Sequence, residues 1–341
     1  MAYERKVVQQ ATARLERRKE MRQRKRYDLE QQLYRRQPRL RTLDIAIRGT
    51  MLELAELLTA GVPLAADGPE IGDIRRRNLA LQEERAQLLK NLGYAPDALD
   101  DTPACSLCGD TGWVGQEMCQ CLRQLCAQEQ LRQLTALLHL TPEQSFAQLR
   151  LDVYSDQPWD GHGRSPRENM KRVILVCQGF AQQFPNYPLK NLLLSGGTGL
   201  GKTFLSGCIA REVSDRGYSV VYDSAIHMQE VFSNRQFSRD QEKVQEAEGL
   251  IRCYLDCDLL LLDDLGSEST TAPFKAALYE VLDGRIQRDK RTIISTNLAM
   301  PRLAELYSPQ VASRLEGLFQ ELTFYGDDIR RSAKQLSSNP S

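Results

Sequence analysis

The chain has 341 residues, 41% of them hydrophobic and 26% charged, so it can bury a sizeable core and is not wholly disordered. Its 45 basic and 45 acidic side chains balance, but residues 1–41 hold 14 basic against 5 acidic ones, so the remainder is acidic. The absence of an apolar run of about 18 residues argues against a membrane span, and the charged start lacks the apolar stretch of a secretory signal. We therefore expect a cytoplasmic protein of two or three domains, whose nine cysteines are reduced thiols or metal ligands.

The first hundred residues are predicted to be helical. Residues 4–36 are rich in Arg, Gln and Glu, which favours a solvated helix, although their positive charge also leaves open a DNA-binding tail. Apolar side chains then recur at helical spacing over residues 40–58 and again over residues 71–88. A Gly-Val-Pro stop at 61–63 separates these stretches, which predicts an antiparallel helical hairpin. We interpret residues 1–100 as a helical, coiled-coil-like N-terminal region.

Residues 101–140 are predicted to form a cysteine-rich zinc module followed by a helix. Four thiolates within 17 positions suit tetrahedral Zn²⁺, and a closed site with four sulfur ligands is structural rather than catalytic. Cys126 lies five residues further on and is an alternative to the last of these ligands; a small core of reduced cysteines is the alternative without metal. The predicted ligands are Cys105, Cys108, Cys119 and Cys121.

After a linker at 141–170, the pattern changes to short apolar strands that alternate with helices. Continuous apolar strands of this kind indicate a parallel sheet covered on both faces, and hence an α/β domain at 171–332. A disordered tail is expected at 333–341. The predicted strands lie at 192–194, 219–222, 259–262 and 292–295.

The junction after the first of these strands fits the phosphate-binding pattern G-x-x-x-x-G-K-[ST], between a strand and a helix as the motif requires. Its glycines allow successive backbone N–H groups to face phosphates, and the helix N-terminus favours negative charge. Lys202 is expected to reach the β- and γ-phosphates of ATP, and Thr203 to coordinate Mg²⁺. The predicted loop consists of Gly196, Gly197, Thr198, Gly199, Leu200, Gly201, Lys202 and Thr203.

Acidic and amide side chains follow two further strands. Ligands of doubly wound sheets bind at the carboxyl ends of strands, so Asp263 is expected to hold Mg²⁺ through water. Asp264 is expected to orient or deprotonate an attacking water, and Asn297 to bond a water near the γ-phosphate. Glu268 is a third acid in the region, but we expect it to be a solvated loop side chain.

Other polar side chains provide candidates for phosphate and DNA contacts. Arg314 and Arg330 are candidate phosphate-sensing arginines. The insertion at 227–255 is a candidate DNA contact, because it combines positive charge with one stacking ring, although a solvated helix face is the plainer interpretation. The side chains concerned are Arg235, Phe237 and Arg239.

Taken together, residues 146–332 resemble the DnaC/DnaI branch of AAA+ ATPases, the bacterial replicative-helicase loaders. The cysteine pattern, with Asp110, Thr111 and Gly112, looks like the module ahead of the ATPase in DnaI-like members. Residues 1–100 are similar only in being helical. The resemblance is carried by Tyr154-Ser155-Asp156, residues 165–170, residues 197–203, Asp263-Asp264-Leu265-Gly266, Ser295-Thr296-Asn297, Ser313-Arg314-Leu315 and Gly326-Asp327-Asp328-Ile329-Arg330.

The resemblance implies a role for each matching position. Lys202 and Thr203 match the Walker A lysine and hydroxyl. Asp264 stands where most AAA+ proteins have Glu, and its shorter side chain suggests a weak ATPase. A small helical lid is also implied, and it is rudimentary here because the chain stops soon afterwards. The remaining matches are Asp263 as the Walker B metal acid, Asn297 as sensor 1, Arg314 as the arginine finger that acts on a neighbour's ATP, and Arg330 as sensor 2.

The family's activity implies an ATP-dependent protein that loads the replicative helicase onto single-stranded DNA at replication initiation or restart. It implies ATP, Mg²⁺ and Zn²⁺ as cofactors, DNA-stimulated hydrolysis and a homo-oligomer built through the AAA+ domain, with the N-terminal helices and zinc module gripping the helicase. Two alternatives remain. One is an IstB-like transposition helper, which shares the ATPase core but usually lacks a cysteine module, and the other is a nucleotide-gated adaptor with little turnover.

Overall fold

The computed structural model of the protein describes residues 2–59, 69–137 and 145–329. This part of the chain forms two compact units: one is Arg14–Gly115, and the other combines the residues up to Ala13 with those from Gln116 onward. No helix in the described ranges is both long and apolar enough to cross a membrane. The predicted loop at 61–63, Arg330 and the tail at 333–341 lie outside the described residues.

The secondary structure alternates long N-terminal helices with a later α/β arrangement. The helices are α1 (Arg5–Arg36), α2 (Pro38–Thr59), α3 (Pro69–Asn91), α4 (Gln120–Leu137), α5 (Pro166–Gln182), α6 (Lys202–Asp215), α7 (Ala225–Phe237), α8 (Gln241–Asp256), α9 (Ala272–Gln287), α10 (Met300–Leu306) and α11 (Pro309–Leu318). The strands are β1 (Trp113–Val114), β2 (Glu117–Met118), β3 (Asn191–Gly196), β4 (Val220–Ser224), β5 (Leu259–Leu265), β6 (Arg291–Thr296) and β7 (Gln320–Phe324).

The helical unit contains the predicted antiparallel hairpin. Arg39, early in α2, bonds Glu84, late in α3, at 2.8 Å, whereas Glu53, late in α2, bonds Arg77, early in α3, at 2.6 Å. The opposite order of these partners along the two helices confirms the antiparallel packing. The small apolar core of this unit consists of Leu33, Leu40, Leu89 and Leu99.

The other unit is built on a five-stranded sheet with the order β4-β5-β6-β3-β7, in which every pairing is parallel. The four predicted strands are confirmed by β3, β4, β5 and β6. The edge strand β7 was missed, although its buried Leu322 and Phe324 alternate with more exposed residues in the manner of a strand. Because β6 lies between β3 and β5, the residues after β6 lie between the ends of its two neighbours.

Each face of the sheet has its own apolar core. Leu192 and Leu194 of β3 point to the face covered by α5 and α6, whereas Leu193 points to the face covered by α7 to α11. This alternation follows from the two-residue period of a strand. A sheet covered on both faces needs strands that are apolar at every position, which explains the continuous Leu and Ile runs.

The start of the chain and α4 pack in the same unit as the sheet. Tyr3, Val7 and Ala11 are buried, so the first turns of α1 are not the fully solvated helix that its composition predicted. Gln130 of α4 accepts a hydrogen bond from the backbone N–H of Val220 at 2.9 Å. This contact satisfies a donor of the edge strand β4, which would otherwise be open to pairing with another chain.

Arg285 of α9 is fully buried behind the sheet. Its Nε donates to Thr292 Oγ1 at 3.0 Å, and its Nη1 donates to the carbonyl of Cys257 at 3.0 Å. It also donates to the carbonyls of Tyr254 and Arg291. The guanidinium therefore connects the end of α8 and the start of β6 to α9.

Replacing Arg285 with Ala should lower the free energy of unfolding by about 3 kcal/mol, because several buried carbonyls lose their donor at once. The matched control is Arg288→Ala, which removes an exposed arginine at the C-cap of the same helix and should change stability by less than about 0.5 kcal/mol. Denaturant unfolding of both variants checks this. Similar losses in the two would show that the buried hydrogen bonds are not the cause.

Candidate ATP site and candidate metal centre

In the loop between β3 and α6, two glycines lie so close to other atoms that neither position has room for a side chain. Gly196 has a φ of +140°, and a Cβ there would lie 2.1 Å from the carbonyl oxygen of Phe324. Gly199 has a φ of +74°, and a Cβ there would lie 2.1 Å from Asp328 Oδ1. Glycine is needed at both positions, so the loop can keep the narrow turn in which successive N–H groups face a bound anion.

Lys202 is the first residue of α6, and its side chain is buried over the loop. The ammonium donates to the carbonyl oxygens of Gly196 and Gly197 at 2.6 and 2.7 Å, and to Asn297 Oδ1 at 2.8 Å. The positive charge is thereby fixed on the concave side of the loop, next to the residue that follows β6.

Thr203 and Asp263 bring a hydroxyl and a carboxylate together. Thr203 Oγ1 lies 3.4 Å from Asp263 Oδ2. Hard oxygen ligands of these two kinds suit Mg²⁺, so the residues fit the predicted metal. The hydroxyls of Tyr222 and Ser295 also donate to the Asp263 carboxylate. Sequence reasoning gave neither side chain a role in the site, although Ser295 belongs to the Ser295-Thr296-Asn297 motif; the signal for both is a polar residue near the end of a strand that neighbours β5.

Asp264 and Asn297 form the other half of the site. Asp264 has a φ of +58°, a left-handed conformation that few residues other than Gly adopt but that Asp tolerates. The backbone N–H of Asp264 donates to Ser295 Oγ at 3.0 Å, and Asn297 Nδ2 donates to Asp264 Oδ1 at 2.6 Å. The Asn297 amide therefore bridges Lys202 and Asp264.

These side chains surround a cavity of about 310 Å³ at the carboxyl edge of the sheet. The hydroxyl of Tyr154 donates to the carbonyl of Leu200 at 3.1 Å, and burial raises the pKa of Tyr154 to about 12, so it remains a donor. The Ile329 N–H donates to the carbonyl of Gly199 at 3.0 Å. The cavity is lined by Thr198, Gly199, Leu200, Gly201, Lys202, Thr203, Phe204, Asp263, Asp264, Ser295, Asn297 and Ile329.

Arg314 does not line this cavity. Its guanidinium stacks 4.4 Å from the ring centroid of Tyr279 and donates to the Tyr279 hydroxyl at 2.9 Å. Its Nε also donates to Asp283 Oδ1 at 3.0 Å, so the side chain is held against α9. Arg330, the other predicted arginine, lies outside the described residues.

The three predicted DNA contacts lie at the end of α7 and in the turn before α8. Phe237 is 66% exposed, and Arg239 is also exposed. Arg235 lies 5.2 Å over the ring of Phe232 and pairs with Glu280 at 3.5 Å. Phe237 and Arg239 are therefore accessible to a ligand, while Arg235 is partly engaged within the fold.

Glu268 differs from its expectation as a solvated side chain, because it is only 8% exposed. Its Oε2 accepts from the N–H of Gly266 at 2.8 Å, and its Oε1 accepts from the hydroxyl of Tyr307. The sequence placed Glu268 in a loop correctly but gave no sign of Tyr307, which lies far along the chain.

The four predicted zinc ligands come together, with sulfur atoms within 4.8 Å of one another. Cys126 is not part of this group; it is buried, and burial raises the pKa of its thiol to about 12. The Gly112 N–H donates to Cys108 Sγ at 3.3 Å, which favours a thiolate. The donor set fits tetrahedral Zn²⁺, and the grouped residues are Cys105, Cys108, Cys119 and Cys121.

Asp110 supports the first pair of these cysteines. It adopts a φ of +62°, and its carboxylate accepts from the backbone N–H groups of Cys105 and Ala104 at 2.8 and 3.0 Å. Burial alone raises the pKa of this carboxyl, but hydrogen bonds from Arg22 and the two N–H groups outweigh burial and hold the pKa below its usual value. An ionised Asp110 therefore fixes the turn that presents Cys105 and Cys108.

Comparison with known proteins identifies relatives of the ATPase part. A family model described as IstB-like ATP binding protein matches residues 186–313. The replicative helicase loader DnaC of Buchnera aphidicola is 22% identical over 184 residues, which is 54% of this chain and 73% of that protein. The DnaC of Escherichia coli is 27% identical over 152 residues, which is 43% of this chain but only 58% of that protein.

A solved structure of the DnaC helicase loader is 20% identical to this chain, with a TM-score of 0.40; the match covers 53% of this chain and 98% of that one. The predicted α/β fold class is confirmed: a five-stranded parallel sheet follows a helical region with a four-cysteine cluster. The chain resembles the DnaC-like replicative helicase loaders of the AAA+ family.

Proposed function

We propose that this protein binds and hydrolyses ATP in order to load a replicative helicase onto single-stranded DNA at replication initiation or restart. The observation that carries the ATP assignment is the meeting of Lys202, Thr203, Asp263 and Asn297 at one cavity. The loader assignment is supported by the named function of the relatives, which match about half of the chain.

In the proposed reaction, the Lys202 ammonium gives up its hydrogen bonds to the carbonyl oxygens of the loop and donates instead to the β- and γ-phosphate oxygens of ATP. Thr203 and Asp263 would hold Mg²⁺, which neutralises phosphate charge when it is bound. Asp264, oriented by the Asn297 amide, would position the attacking water. The shorter side chain of Asp264, where most AAA+ proteins have Glu, is the reason for proposing weak turnover.

A homo-oligomer built through the AAA+ domains would complete this site. Arg314 is on α11, outside the cavity of its own chain, and we assign it to the ATP of a neighbouring subunit. Arg330 would contact the ATP of its own subunit as sensor 2. Stabilisation of transition-state charge by an arginine supplied in trans is a known device of phosphoryl transfer.

The two proposed macromolecular partners would use different surfaces. Phe237 and Arg239, with Arg235, would contact single-stranded DNA through stacking and phosphate charge, and DNA would stimulate hydrolysis. The helical region and cysteine module would bind the helicase. Ile45 and Leu52 of α2 are exposed and seven residues apart, so they share one helix face that can enter a partner's groove.

A transposition helper is the second candidate, favoured by the IstB-like family model over residues 186–313. That match covers the shared ATPase core and does not include the four-cysteine cluster. The cluster resembles the cysteine module ahead of the ATPase in DnaI-like loaders, which IstB-like helpers usually lack, so it favours the helicase loader. An adaptor that binds nucleotide with little turnover would use the same cavity and differ only in the rate of hydrolysis.

Lys202→Ala should abolish ATP binding, because it removes the only lysine charge among the residues that line the described cavity. Lys190→Ala is the matched control, since Lys190 precedes β3 and pairs with the exposed Asp289. Calorimetric titration with Mg-ATP should show binding for the control alone. Equal affinities in the two variants would remove the basis for the ATP site.

The purified protein should carry about one zinc per chain, and Ser at Cys105 or Cys119 should lower that content because each substitution removes one thiolate. Cys126→Ala is the matched control and should leave zinc content unchanged, because Cys126 lies outside the cluster. Metal analysis of freshly purified, reduced protein measures this. Absence of zinc from the unaltered protein would overturn the proposed centre.

The two partner surfaces should separate by mutation in the full chain. Replacing Phe237 and Arg239 with Ala should weaken single-stranded DNA binding about tenfold while helicase capture persists. Leu52→Glu, on the exposed face of α2, should weaken helicase capture while single-stranded DNA binding persists. Fluorescence anisotropy in ATP and a helicase pull-down provide the two readouts. A chain that ignores the helicase but binds duplex DNA and a transposase would be a transposition helper.

A further inference from the structure

Glu268 connects the turn that begins at Asp264 to the junction between α10 and α11. Its two carboxylate oxygens accept from the Gly266 N–H, at 2.8 Å, and from the Tyr307 hydroxyl. Glu268 and Tyr307 are both buried. A hydrogen bond to a carboxylate is stronger than one between neutral groups, and removing its donor leaves a buried charge poorly compensated.

One end of this connection is the turn that begins at Asp264. Ser267 donates to the carbonyl of Asp264 through its backbone N–H at 3.1 Å and through its hydroxyl at 2.6 Å. The hydroxyl of Thr296 donates to the carbonyl of Leu265 at 2.7 Å. These bonds make the turn compact, so Glu268 is fixed relative to Asp264.

The other end is the junction between α10 and α11. The N–H of Tyr307 donates to the carbonyl of Leu303 at 3.0 Å at the end of α10. Ser308, the next residue, caps α11 by accepting from the Val311 N–H at 3.4 Å. Arg314 follows on the second turn of α11, so a shift at Tyr307 is passed to Arg314 through a short, capped helix.

We propose that Glu268, through its bond to Tyr307, is a positioning residue that sets the orientation of α11 and of the Arg314 that it carries. This inference rests on the proposed action of Arg314 on a neighbour's ATP. The connected turn starts at Asp264, so the ATP site of one subunit and the arginine that it offers to the next share a single rigid link.

Tyr307 is the donor of this contact. Burial, followed by the hydrogen bond to Glu268, raises the pKa of Tyr307. The phenol therefore stays protonated and continues to donate.

The first test compares Tyr307→Phe, Glu268→Gln and the double variant in the full chain. Each single change should lower kcat about tenfold with KM for ATP unchanged, because a misplaced catalytic group affects the chemical step rather than binding. The double variant should be no slower than either single variant, since Tyr307→Phe removes the hydroxyl of this contact and Glu268→Gln replaces its charge-assisted bond with a weaker neutral one. Tyr187→Phe, whose ring packs with Phe180 in the core on the other face, is the matched control and should keep full kcat.

The second test determines whether the Glu268–Tyr307 contact acts in the subunit that supplies Arg314 or in the subunit that binds the ATP. Lys202→Ala chains lack an ATP site but keep Arg314, and Arg314→Ala chains keep the site but lack the arginine, so their mixture should hydrolyse ATP at mixed interfaces. Adding Tyr307→Phe to the Lys202→Ala chain should lower this activity about tenfold. Adding it to the Arg314→Ala chain should have no effect, which controls for damage to the fold.

The outcomes separate this inference from the proposed function. A mixture that co-assembles but is inactive before Tyr307 is changed would overturn the trans role of Arg314, and the inference with it. An active mixture that is insensitive to Tyr307→Phe in the arginine donor would overturn the inference alone. An unchanged kcat in Tyr307→Phe and Glu268→Gln would also overturn the inference alone. The same result would follow if Tyr307→Phe lowered the activity of the mixture equally in either chain.

Discussion

The side-chain amide of Asn297 stands between the positive charge of Lys202 and the negative charge of Asp264, and the geometry of the site depends on this bridge. The amide can serve both because it offers an acceptor to the ammonium and a donor to the carboxylate. It is in place because β6 lies between β3 and β5 in the sheet. Strand order therefore brings together Asn297 and two groups that lie 33 and 95 residues away in the chain, and no local structure could do so.

The same strand order explains how the two acids differ. Asp263 is still within the pleat of β5 and receives hydroxyl donors from the neighbouring strands through Tyr222 and Ser295. Asp264 takes a left-handed backbone conformation at an irregularity in the β5–β6 pairing, which resumes at Leu265 opposite Thr296. Two adjacent carboxylates thus have separate surroundings, one suited to a metal ion and the other directed to the amide of Asn297.

The sequence predicted most of what is local in this protein. The loop at 196–203, the two acids near the end of β5, the four clustered cysteines and four of the five parallel strands were all visible as short patterns. What it missed depends on contacts between distant residues. The strand β7 is short and only half apolar, and the burial of Glu268 depends on Tyr307, 39 positions away. The amphipathic start of α1 looked solvated because its composition does not reveal that Tyr3 and Val7 are buried.

Arg314 shows how a satisfied side chain can still be available for function. Within its own chain it bonds Asp283 and the Tyr279 hydroxyl, and about a quarter of the side chain remains exposed. A partly exposed ion pair of this kind contributes little net stability, on the order of 1 kcal/mol or less. The two hydrogen bonds from Arg314 to Asp283 both go to Oδ1, whereas a phosphate group carries more negative charge and can accept two parallel hydrogen bonds on separate oxygens. Exchange from Asp283 to a neighbour's nucleotide would therefore cost little, whereas the direction in which the arginine can reach is set by α11. The position of that helix, rather than the charge of Arg314 alone, is thus the structural constraint on the proposed assembly-dependent hydrolysis.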